Sequence, residues 1–230
     1  APPAVRQVDL VRLRAELDDM LDIALTHRLF AEPPFCDVPE SHRRLRDIAF
    51  SGDGEPTACP LFPEAVDLAV DLYRTRGLKD VKLRLITDAA YLTRPRVCRA
   101  LARMHDCGGE IWAKLDAGTE PYYRLVNRPN VSLNTVLANI LDAALCFRVI
   151  IQSLWMNVRG QPPPPEEIDA FAGRLADVLA AGGRILLVQV YTVARRPAEP
   201  FVTPLNHNQL ARIADRVRAR VSLPVEVFDA

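Results

Sequence analysis

From one end of the chain to the other, short β-branched runs alternate with longer segments whose apolar residues recur at helical spacing. Few folds tolerate that rhythm. Parallel strands need a crossover of a dozen or more residues, usually a helix, so a repeated strand–helix series lays its strands side by side with helices over them. The runs at 46–51, 81–87, 110–117, 148–154 and 185–191 read as strands, and PVEVF near the C-terminus reads as a weaker sixth. Between them, helices are expected over 10–28 after the N-cap Asp9, from about Pro63, over 95–105 and 131–145, from Pro165 to Gly182-Gly183, and over 207–220. On the second helix Val66, Ala69, Val70 and Tyr73 fall on one face; on the sixth, Ile168, Phe171, Leu175, Val178 and Leu179 do. No internal repeat, low-complexity tract or long linker interrupts the series, so residues 1–230 are expected to form a single α/β domain. An open doubly wound sheet and a partial barrel both fit, and both bind ligands at the C-terminal ends of the strands.

Several function classes are disfavoured by composition. Lys plus Arg and Asp plus Glu each number 29, so the broad basic footprint of a duplex-DNA binder is missing. The longest apolar runs, such as ILLVQVY, are too short to span a bilayer, and no export signal opens the chain. Five dispersed cysteines, none in a Cys-x-x-Cys pair, read as reduced thiols, and a cytoplasmic location is expected with no membrane partner. The chain starts Ala-Pro-Pro without Met, which reads as a processed or trimmed product.

The strand ends are polar where the strands are apolar. In order they read SGDGE, TDA, KLDAG, QSLW and QVYTVARRP. A ring of Asp53, Glu55, Thr87, Lys114, Asp116, Gln152, Gln189, Tyr191 and Arg195 suits a polar ligand with amine, carboxylate and hydroxyl groups. Polar residues at such positions also cap the following helices, so the signal lies in the set rather than in any one of them. Lys114 and Asp116 alternate with Trp112 on one face of a strand running to 117, where a mutual ion pair and a ligand contact are both open. The glycine turn after Phe50 is no P-loop, since no Gly-Lys-Ser/Thr follows. It also lacks the third glycine of a dinucleotide fingerprint, and Pro56 stands where that helix would start. The histidines lie away from strand ends, which disfavours a His-metal centre, and no metal-binding residue is assigned.

FSGDGEPT, EIWAKLDAGTEPYYRLVNRP, VIIQSLW and QVYTVARRPAEP, in that order and spacing, resemble the radical S-adenosylmethionine (radical SAM) superfamily over nearly the whole chain. The similar branch is that of the tRNA wyosine synthetases and the activating enzymes of glycyl-radical proteins. The resemblance implies a partial (βα)6 TIM-like barrel that lacks its first strand here, with S-adenosylmethionine and a [4Fe-4S] cluster as cofactors. It implies that Gly52, Asp53, Gly54 and Glu55 hold the cofactor's methionine amino group, that Lys114, Asp116 and Gln152 hold its ribose and carboxylate, and that Ser51 is also cofactor-binding. Thr87, Gln189 and Tyr191 complete the expected cofactor-binding set. Where relatives have Thr-Asn-Gly this chain has Thr87-Asp88-Ala89, and Asp88 is left out of that set. The superfamily's Cys-x3-Cys-x2-Cys is absent from these 230 residues, and the family layout places those ligands upstream of Ala1.

Two functions follow as expectations. The full-length form is a radical SAM enzyme that cleaves S-adenosylmethionine reductively, takes electrons from a flavodoxin or ferredoxin and acts on a small molecule, tRNA or protein; this chain alone is inactive. Alternatively, the chain is a non-catalytic S-adenosylmethionine-binding module or an inert fragment.

Overall fold

The computed structural model describes residues 8–52 and 54–229. Six strands form one sheet: β1 (Asp47–Phe50), β2 (Lys82–Thr87), β3 (Glu110–Lys114), β4 (Val149–Leu154), β6 (Ile185–Tyr191) and β8 (Val225–Phe228). Every neighbouring pair is parallel, and the strands lie in sequence order. That order decides between the two architectures left open by the sequence. A doubly wound sheet reverses direction at a switch point. Here nothing reverses, so right-handed crossovers all step the same way and leave the helices on one face, the winding of a partial barrel. The terminal VEVF run supplies the sixth strand.

The helices are α1 (Leu10–Leu25), α2 (Phe62–Thr75), α3 (Pro95–Asp106), α4 (Glu120–Asn127), α5 (Leu133–Cys146), α6 (Pro165–Ala180) and α7 (His207–Arg220). Asp9 caps α1 by accepting from the amides of Val11 and Arg12. Proline opens α6, where its missing N–H costs nothing. Asn206 and Gln209 form a reciprocal capping box on α7. The predicted apolar faces are buried in the core: Val66, Phe171 and Leu175 are all at most 1% exposed, and so is Val217 of α7. Three elements, one helix and two strands, are absent from the sequence reading. Helix α4 has only eight residues, too few for a periodic signal, though Thr119 caps it and Pro121 sits in its first turn. The antiparallel pair β5 (Met156–Val158) and β7 (Val202–Pro204) has three residues per strand and stands apart from the main sheet.

On the other, concave face the side chains lie in rows, because registered residues of parallel strands share a face. The lowest rows are ionic: Arg84 donates to Asp47 at 2.5 Å and to Glu110 at 3.3 Å, with its guanidinium 4.5 Å from the centre of the Trp112 ring. Above it Ile86, Trp112, Ile150 and Leu187 stand in register as an apolar layer. Above that, Lys114, Gln152, Gln189 and Glu226 form a polar row at the strand ends. The sheet thus grades from a neutralised floor to a polar rim.

Candidate functional site at the strand ends

Beyond Phe50 the chain leaves β1 and opens into the glycine turn. Asp53 lies outside the described residues. Around Gly54 there is open space: a Cβ built there meets no atom within 4 Å. Glu55 closes the turn. Its Oε1 accepts from the Thr57 amide at 2.9 Å and from the Thr57 hydroxyl, and also from Thr87 Oγ1 at 2.8 Å, while Oε2 accepts from the Asp88 amide at 2.8 Å. One carboxylate therefore ties the end of β1 to the end of β2. Thr87, only 1% exposed, passes the tie on by accepting from the Ala89 amide at 3.0 Å.

A cavity of about 640 Å³ opens above these ends. That size falls within the roughly 300–1,000 Å³ of small-molecule sites. Of the expected residues, Ser51, Gly52, Gly54, Glu55, Thr87, Lys114, Gln152 and Tyr191 line it. Ile86, Asp88 and Arg195 line it too. The walls differ in charge. Glu55 and Asp88 stand on the β1–β2 side, and Lys114 and Arg195 carry the cations. Burial pushes the Asp88 carboxyl above its usual range; the hydrogen bond from the Ala90 amide opposes that rise, and neighbouring Glu55 adds to it. Two adjacent carboxylates favour a proton or a cationic ligand between them. Burial, and secondarily Asp116, also raises the Tyr191 phenol, so that Tyr191 remains a neutral hydroxyl at ordinary pH. Gln152 donates to Gln189 Oε1 at 3.1 Å, which fixes its amide and leaves its carbonyl oxygen for the cavity.

Asp116 and Gln189 do not line the cavity. The strand β3 ends at Lys114, not at 117, so strict alternation stops before Asp116 is reached. Asp116 instead turns inward at 5% exposure, accepting from the Leu154 amide at 2.8 Å and from Asn127 Nδ2 at 2.7 Å. It joins β3, β4 and α4. Burial raises its pKa, partly offset by those two donors. No Lys114–Asp116 ion pair forms among the described residues. Gln189 stays on the expected face, but at 8% exposure it serves as the acceptor that orients Gln152.

Two contributors escaped the sequence reading. Asp88 departs from Thr-Asn-Gly and is not expected from the sequence, yet it lines the cavity beside Glu55. Ile86 is an apolar floor residue, legible from its parity with Lys82 and Arg84 on β2. Glu167, on α6, is also unforeseen: at 3% exposure it accepts from the Thr119 amide at 3.1 Å, from Thr119 Oγ1 at 2.6 Å and from the Gly118 amide. It locks the loop after β3 against α6 and so sets the position at which α4 departs.

No protein-family model matches the sequence, and no curated protein matches it. Solved structures do. A domain of the pyruvate-formate lyase-activating enzyme from Bacteroides vulgatus ATCC 8482 superposes with a TM-score of 0.56 at 15% identity, covering 80% of this chain and 99% of that one. Archaeal TYW1 superposes at 0.55 and 14% identity, covering 96% of this chain and 66% of that one. TYW1 with a lysine-pyruvate adduct bound gives 0.55 and 14%, covering 94% and 65%. At such identities the likeness is one of fold, and the chain spans about two thirds of the length of either TYW1 structure. The names fall in the two branches that the sequence motifs resemble. Among the described residues no group of three His, Cys, Asp or Glu could hold a metal ion, and no helix is long and apolar enough to cross a membrane.

Proposed function

We propose that the cavity at the strand ends binds S-adenosylmethionine, and that the chain is the cofactor-holding core of a radical SAM protein. The single observation that carries this reading is that the cavity's lining brings both signs of charge together: carboxylates at the glycine turn and just after β2, and a lysine at the end of β3. An α-amino acid moiety has that polarity. Its ammonium sits against Asp88 and the outer face of Glu55, and its carboxylate against Lys114, each through charge-assisted hydrogen bonds. Open space at Gly54 lets the backbone approach the ligand closely. Gln152 and Tyr191 supply an acceptor and a hydroxyl for the ribose, and Ile86 an apolar contact. The sequence resemblance and the shared fold support the assignment.

The described residues do not fit a [4Fe-4S] cluster, because they include no set of three candidate ligands. The function assigned to this chain is accordingly cofactor binding. Radical initiation, with a flavodoxin or ferredoxin as electron donor, belongs to a form of the protein that also carries cluster ligands. The same observation favours a second reading, a binding module that works without redox chemistry.

Equilibrium dialysis against S-adenosylmethionine without iron tests the first claim. Binding is expected, with Lys114→Ala weakening it about tenfold through loss of one charge-assisted contact. No binding by the folded protein sinks the assignment. Anaerobic reconstitution with iron and sulfide then separates the two readings: cluster uptake with 5′-deoxyadenosine formed under reduction supports the enzyme, and S-adenosylmethionine binding with no cluster taken up supports the module.

A further inference from the structure

The cavity holds two cations, whereas the amino acid moiety of the proposed cofactor has one carboxylate. Lys114 rises from the end of β3, on the sheet itself. Arg195 comes from elsewhere, the arch of residues 192–201 that joins β6 to β7.

That arch is pinned at both feet and on one flank. At one foot, Thr192 Oγ1 donates to the Trp155 carbonyl at 2.8 Å and accepts from the Leu205 amide at 2.8 Å. At the other, the Arg159 amide donates to the Phe201 carbonyl at 2.8 Å, with the Arg159 guanidinium 5.4 Å from the Phe201 ring centre. On the flank, Glu199 takes Arg128 of the α4 C-cap at 2.7 Å. Glu199 is the one acidic residue in the arch, and Arg128 engages it. Among the described residues Arg195 has no carboxylate within ion-pair distance, though it lines the cavity and is exposed. A guanidinium that lines the cavity, on an arch held at its feet and flank and with the arch's own acid occupied elsewhere, is set to receive an anion from outside the protein. Its planar fork of donors matches a carboxylate or phosphate in bidentate fashion.

We propose that Arg195 recognises an oxyanion, carboxylate or phosphate, on the second ligand of this cavity, the substrate held beside the cofactor. That this ligand is a second one rests on the S-adenosylmethionine reading; the recognition of an oxyanion by Arg195 does not. Arg196 is the adjacent cation, exposed but not lining the cavity, and serves as the matched control.

The test is a thermal-shift titration with inorganic phosphate and with pyruvate, each with and without saturating S-adenosylmethionine. At least one anion is expected to raise the melting temperature saturably. Arg195→Ala should weaken that response about tenfold, Arg195→Lys by less, and Arg196→Ala not at all. A response confined to phosphate or to pyruvate tells which oxyanion the site takes. Failure of both anions to bind the wild-type protein, or equal losses from Arg195→Ala and Arg196→Ala, overturns the proposal. S-adenosylmethionine binding without any anion response leaves the cofactor reading standing and removes this one. An Arg195-dependent anion response in a protein that does not bind S-adenosylmethionine does the reverse.

Discussion

Two glycine turns stand at the top of the same sheet and are built in opposite ways. After β3, Gly118 lies against α6 so closely that a Cβ there would sit 2.0 Å from the Phe171 backbone nitrogen, and Glu167 gathers the surrounding donors. After β1, Gly54 has no neighbour within 4 Å of such an atom. One glycine is required by packing; the other borders open space, which the proposed cofactor site uses for close approach of the ligand. The difference shows that a glycine at a strand end can serve packing alone, so that only the one beside empty space is a candidate for ligand contact.

Substitution should separate the two turns. Gly118→Ala forces backbone of the β3–α4 loop away from backbone of α6 and is expected to destabilise the fold by about 3 kcal/mol, at the upper end of overpacking costs. Gly54→Ala is expected to leave stability within about 0.5 kcal/mol, as at ordinary surface sites, while weakening S-adenosylmethionine binding. Denaturant unfolding of both variants checks this. Equal losses of stability would erase the distinction.

A smaller effect is expected at Asp116, the carboxylate of the packed side. Asp116→Ala leaves the part-buried Leu154 amide without its acceptor, a loss of about 1–3 kcal/mol. Asp116→Asn keeps an acceptor there, and Asn127 can turn its amide to meet the new donor. Because burial raises the folded-state pKa of Asp116, its ionisation opposes folding. Relative to the Asn variant, wild-type stability should therefore fall as pH rises upward from the ordinary carboxylate range. A stability difference that is flat with pH would show that Asp116 is not held as the structure has it.

On the open side the corresponding carboxylate is Asp88. Its raised pKa leaves it partly protonated on acidification, and an ammonium ligand favours the ionised form. S-adenosylmethionine affinity should accordingly strengthen as pH climbs through the Asp88 titration, and Asp88→Asn should flatten that dependence with about a threefold loss at neutral pH. Calorimetric titration over a pH series reads it. A wild-type profile no steeper than that of the variant removes Asp88 from ammonium recognition.

The fold was legible because its signals are long. Helices of fourteen or sixteen residues repeat their apolar face often enough to be read, as Ile168, Phe171, Leu175 and Val178 do on α6. The eight-residue α4 and the three-residue β5 and β7 cannot repeat anything. In the site, residues still inside or directly after a strand fell where alternation put them: Lys114, Gln152 and Tyr191 face the cavity. Asp116 did not, since β3 stops two residues before it and the chain then follows hydrogen bonds to Leu154 and Asn127. Glu167 was invisible for a different reason. It lies 48 residues from Thr119, and nothing local in the sequence announces that pairing.

Hydrogen–deuterium exchange with and without S-adenosylmethionine tests the central claim most directly. Ligand should slow exchange in the turn at 51–55, at 87–88 and around 191–195, while the cleft of about 340 Å³ between α6 and α7, floored by Ile168 and Ile213, stays unchanged. Protection confined to that cleft, or none at the strand ends, would contradict it.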